Sequence, residues 1–133
     1  MIIYRVESED GGGPYNGPKA DRALSEELFY SNIWHQPPPS VDIADWWPSS
    51  NKSWRYGFES TELLKRWFEP KFYKALDRVG FMVAIYDVPD DAVKCGKFQC
   101  AFKFKSAKRL KHVPLDELEN KLSTLVDNGK LQV

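Results

Sequence analysis

Histidine, cysteine and methionine are all scarce in this chain, two of each in 133 residues, and each scarcity narrows the chemistry available. Cys95 and Cys100 are separated by an odd interval, so an extended chain would point them to opposite faces. A disulfide between them would then be strained, and none is expected. His35 and His112 lie far apart and no second cysteine pair exists, so no metal site is expected either. Net charge is absent as well: 19 bases balance 19 acids. That balance argues against binding nucleic acid by bulk attraction, and equally against an acidic mimic of duplex DNA. No apolar run approaches the length of a membrane span, and the opening "MIIYRVESED" lacks the basic start and apolar stretch of a signal peptide. Cytoplasmic residence without membrane contact is the expectation.

What is present fits one compact domain over residues 1–133, with 42% hydrophobic and 29% charged residues. Charge is unevenly placed. Residues 1–50 carry eight acids and three bases, whereas residues 93–112 carry seven bases and no acid: Lys94, Lys97, Lys103, Lys105, Lys108, Arg109 and Lys111. Lysines along a strand edge discourage edge-to-edge aggregation, and the same lysines form the chain's one candidate basic patch.

Hydrophobic periodicity places the elements. "IIYRV" alternates over 2–6 and reads as a strand, followed by loop in "EDGGGPYNGP". Ala20, Leu24 and Leu28 recur at helical spacing over 19–30. Residues 31–53 contain three consecutive prolines with Trp34, Trp46 and Trp47, a loop that either packs on the domain or presents a binding surface to a partner. "WRYGF" then supplies a strand, Ser60 or Thr61 caps a helix with Leu63, Leu64, Trp67 and Phe68 on one face, and a second helix runs over 71–79 to a C-cap at Gly80. "FMVAIYDV" has the composition of a strand covered on both sides. "KFQCAFKFK" alternates, with Phe98, Cys100, Phe102 and Phe104 toward the core and Lys97, Gln99, Ala101 and Lys103 outward. Pro114 introduces a closing amphipathic helix that ends near Gly129. The reading is an α+β domain with a small mixed or antiparallel sheet and about four helices.

Catalytic signatures are thin. Neither histidine has a Ser or Cys partner at a telling spacing, and "EDGGGPYNG" lacks the Lys and the following helix of a phosphate-binding loop. The carboxylate pairs Asp42 and Asp45, Asp90 and Asp91, and Asp116 and Glu117 read as turn or helix-start residues. Local reasons also account for Ser60 and Thr61 as caps, and Arg5 would pair with Glu7 or a sheet neighbour.

"IYRV" at the start, "YGFESTELLKRW", "VAIYDVPDDAV", "GKFQCAF" and "SAKRL" together resemble, in element order, the core of small ADP-ribosyltransferase-like domains. They also resemble short proteins carried by bacteriophages and prophages. The resemblance implies that Arg5 holds NAD, that Ser60 and Thr61 with Tyr56 supply the second motif, and that Gln99 occupies the third. In that family the third position is a glutamate that stabilises the cation formed as nicotinamide leaves, and an amide supplies no negative charge. Glu59 and Glu62 are the nearby carboxylates that could substitute.

Two expectations follow. One is a non-enzymatic phage-type accessory protein binding a host macromolecule, such as an antiviral defence component, through Trp34, Trp46, Trp47, Lys97, Lys103 and Lys105. The other is an ADP-ribosyltransferase or NAD-binding protein with a variant site. Nucleic-acid binding through the basic segment ranks below both.

Overall fold

The computed structural model describes residues 1–14, Leu24, Glu27, Asp42, Ile43 and 53–115. Six strands appear in this order: β1 (Ile2–Glu7), β2 (Trp54–Gly57), β3 (Met82–Asp87), β4 (Val93–Cys95), β5 (Cys100–Lys103) and β6 (Lys108–Val113). Helices α1 (Thr61–Trp67) and α2 (Tyr73–Val79) fall between β2 and β3. The strands form two antiparallel three-stranded sheets, β1-β3-β6 and β2-β5-β4, where the sequence suggested one.

The period of two along β1 explains the layering. Ile2, Tyr4 and Val6 face α1 and α2, and join Val83, Ile85, Leu64, Phe68, Phe72 and Leu76 in the larger core. Ile3 faces the other way, where Ala84, Tyr86 and Val88 pack against Cys100 and Phe102 of the second sheet. The central strand β3 is therefore covered on both sides, with Val83, Ala84 and Ile85 fully buried. This is why its sequence is continuously apolar, as expected.

Tyr4 and Phe58 join the two sheets by exchanging two backbone hydrogen bonds of 2.8 Å. Gly57 makes this crossing sterically feasible. A Cβ there would lie 2.6 Å from Ile3 Cγ2 and 2.8 Å from the Tyr4 carbonyl oxygen. After the crossing, the Ser60 side chain accepts from the Leu63 N–H at 3.2 Å, so Ser60 rather than Thr61 is the cap of α1. Helix α2 ends at Gly80 as its spacing implied.

Other expectations are corrected. "KFQCAFKFK" is a strand only over Cys100–Lys103, because residues 96–99 form the β4–β5 turn and Phe104–Ser106 a 3-10 turn. Phe98 and Phe104 are consequently half-buried rather than core residues. Gln99 is buried instead of outward, and Ala101 is buried because Ile43 covers the outer face with Trp54 and Tyr56. The turn also places Cys95 directly opposite Cys100 in the register, and the two form a disulfide. The odd spacing was misleading because the chain reverses between them. Of the 19–30 helix, Leu24 and Glu27 are helical, Leu24 buried and Glu27 exposed. The rest of that helix and the closing helix beyond Leu115 lie outside the described residues.

Candidate functional site

Arg5 and Glu7 share the inner face of β1 with Ile3, and alternation alone carries both charges into the interior between the sheets. Glu7 is fully buried. Tyr86 donates its phenolic hydrogen to Glu7 Oε1, and Arg109 Nη2 reaches Glu7 Oε2 at 3.3 Å. Arg109 also donates from Nε and Nη2 to the Tyr86 oxygen, each at 3.2 Å. Burial first, and the bond to Glu7 second, push the Tyr86 hydroxyl up to about 12, so it remains a donor at neutral pH. The Ser8–Gly13 loop closes over this group, with Gly11 beside the Glu7 carboxylate and the Phe104 ring. The Arg55 guanidinium stacks 5.0 Å from the centre of that ring.

Arg5 is internal rather than receptive. Its Nη1 donates to the Tyr56 carbonyl at 2.8 Å and its Nη2 to the Gly11 carbonyl at 3.2 Å, at 8% exposure. It does not pair directly with Glu7, which is held by Tyr86 and Arg109. Burial lowers the Arg5 pKa, opposed by the charges of Glu7 and Tyr86. His112, on β6 opposite Ala84, has a buried Nε2 with no hydrogen-bond partner, and burial together with Arg109 lowers its pKa.

The positions singled out for NAD are therefore partly assembled. The crossing of β1 and β2 brings Arg5 to Tyr56, but through the Tyr56 backbone. Ser60 caps α1, Thr61 is buried as its first residue, Glu59 and Glu62 are exposed, and Gln99 is buried in the hairpin turn. Sequence reasoning missed the Glu7–Tyr86–Arg109 triad. Its one legible signal was that Glu7 keeps the parity of the apolar Ile3.

The lysines lie on the opposite character of surface. Lys94, Lys97, Lys103, Lys105, Lys108 and Lys111 are all exposed, the first three on the β4–β5 hairpin and the others on the 3-10 turn and β6. Lys103 sits 5.7 Å over the Trp54 ring and Lys97 5.5 Å over Phe98. The hairpin turn is itself an anion cradle. Asp42 accepts from the backbone N–H groups of Lys97 at 2.7 Å, Phe98 at 3.1 and 3.2 Å, and Gln99 at 2.8 Å. A Cβ on Gly96 would lie 2.4 Å from the Asp42 carbonyl oxygen, so the docked loop requires glycine there. Asp42 and Ile43 are thus held against the basic hairpin, while Trp34, Trp46 and Trp47 lie outside the described residues.

A family model described as the bacteriophage T4 Y00F protein matches residues 1–116, a span that includes every described residue. The chain belongs to the bacteriophage T4 Y00F protein family. Both sheets, the Glu7–Tyr86–Arg109 triad and the exposed lysines are thus features of a phage protein. No curated protein and no solved structure matches the chain. Among the described residues, no helix is long and apolar enough to cross a membrane.

Proposed function

We propose that this Y00F family member is a phage accessory protein that acts by binding a host macromolecule, and that the partner is a protein such as a component of an antiviral defence system. The observation that carries the reading is the state of Arg5. Both terminal nitrogens already bond backbone carbonyls, so holding a dinucleotide phosphate would require breaking buried hydrogen bonds. Chemistry at the third motif position is disfavoured as well, since Gln99, in the β4–β5 turn, is a buried amide. The exposed features point outward instead: Lys94, Lys97 and Lys103 lie on the β4–β5 hairpin, and Lys105, Lys108 and Lys111 on the 3-10 turn and β6 that follow; on this reading Trp34, Trp46 and Trp47 add aromatic contact to that face. An acidic protein surface complements such a face, with lysines steering the encounter and tryptophans supplying desolvated contact.

The test is a pull-down from bacterial lysate with the wild-type chain, a Trp46→Ala/Trp47→Ala variant and a Lys97→Glu/Lys103→Glu/Lys105→Glu variant. One identified host protein retained by wild type and lost by both variants is the expected result. A partner set unchanged by either variant contradicts the reading. Retention that disappears on nuclease treatment and falls steeply with salt would instead indicate nucleic acid.

A second reading has one observation in its favour. The Tyr4–Phe58 bridge sets Arg5 next to the β2 motif, as an ADP-ribosyltransferase-like arrangement of first and second motifs requires. On that reading the chain binds NAD with Arg5, Tyr56, Ser60 and Thr61, and Glu59 or Glu62 replaces the missing acid. An NAD-dependent modification lost in Arg5→Ala would support it.

A further inference from the structure

We propose that Cys95 and Cys100, once reduced, bind a zinc ion together with Glu59. Cys95 closes β4 and Cys100 opens β5 at facing register positions. Gly57 pairs with Cys100, so the chain leaving β2 delivers Glu59 to the same spot. The ligand atoms of Glu59, Cys95 and Cys100 all lie within 4.8 Å of one another. Around zinc, bond lengths of roughly 2.0–2.3 Å place tetrahedral donors about 3.5–3.8 Å apart, a separation these three reach by side-chain rotation. The Met1 thioether sulfur stands 3.8 Å from Cys95 Sγ. Met1 is itself fixed by its amino group, which donates to the Val88 carbonyl at 2.7 Å and to Asp90 at 3.2 Å. Two thiolates and a carboxylate form a borderline-soft set that favours zinc over magnesium or calcium, and the fourth position is left for water or the thioether. The backbone beneath is already held, since Asp42 accepts from three of the four amides of the intervening turn and the fourth, Gly96, donates to the Gln99 carbonyl at 2.8 Å.

Oxidation state decides whether the site exists. A dithiol reductant passes two electrons and two protons to the Cys95–Cys100 disulfide and itself becomes a disulfide. Zinc then displaces the two thiol protons, which are released to solvent.

The full chain, reduced, is titrated with Zn²⁺ against a chromophoric chelator, and in parallel with Cd²⁺ to read the thiolate-to-metal absorption. One equivalent bound with proton release is expected, and none to the oxidised chain. Cys95→Ser should weaken binding by more than tenfold and diminish the thiolate band. The exposed Glu59→Gln, which disturbs no core contact, should weaken binding about tenfold while keeping the band. Equal binding to the oxidised chain, no saturable binding to the reduced chain, or affinity unchanged in both variants would overturn the proposal.

Discussion

Glu7 holds the highest-consequence single position in the molecule, because its carboxylate is fully buried and is the acceptor for both Tyr86 and Arg109. Replacing it with Gln leaves the Arg109 guanidinium facing a neutral amide and Arg5 without its compensating charge nearby. We expect Glu7→Gln to lower unfolding free energy by about 3 kcal/mol, measured by urea denaturation. Tyr86 gives the same network a pH signature. Its folded pKa, about 12, lies above the ordinary tyrosine value of 10.0. The protonated form is thus favoured by folding, and the stabilisation is complete below pH 10 and lost as pH rises from about 10 to about 12. Tyr86→Phe should flatten that part of the stability curve. His112 has the opposite sense: its folded pKa is lowered from 6.5 by burial and by Arg109. Its contribution is complete above the unfolded value and declines as pH falls below about 6.5, so an apolar replacement such as His112→Leu should reduce the acid sensitivity in that range.

Two close approaches govern the elements. Gly57→Ala would force a methyl group into the Ile3 side chain and the Tyr4 carbonyl, and separation of β1 from β2 should cost roughly 1–3 kcal/mol in thermal or urea unfolding. Asp42→Asn retains one acceptor oxygen in place of two, and should raise hydrogen exchange at the amides of Lys97, Phe98 and Gln99 while leaving β3 protected. These contacts also explain what could be read in advance. β1, β3, α1 and α2 were legible because each writes its own period: alternation in "IIYRV", an unbroken apolar run in "FMVAIYDV", and four-residue spacing around Leu64 and Leu76. The hairpin was not. Its turn is fixed by a carboxylate more than fifty residues earlier in the chain, which no local pattern announces. The disulfide and the burial of Gln99 follow from that turn, and so were misread with it. For the candidate site, the Ser60 cap was legible from local chemistry, whereas the partners of Arg5 and Glu7 come from four separate segments.

At the scale of the whole molecule, a neutral chain has sorted its charge. Among the described residues, the buried charges Arg5 and Glu7 lie between the sheets, and six exposed lysines fall within residues 94–111, on the hairpin, the 3-10 turn and β6. Reversing three of them, Lys97→Glu/Lys103→Glu/Lys105→Glu, should leave the urea midpoint nearly unchanged, because exposed charges contribute little to folding, while slowing association with the partner severalfold at low salt. The account rests on Arg5 being a structural cation instead of a phosphate ligand. Isothermal titration of the purified chain with NAD, beside Arg5→Ala, addresses that claim most directly. The account predicts no heat of binding for the wild type at millimolar NAD, with Arg5→Ala less stable. Saturable NAD binding by the wild type that vanishes in a folded Arg5→Ala variant would contradict it.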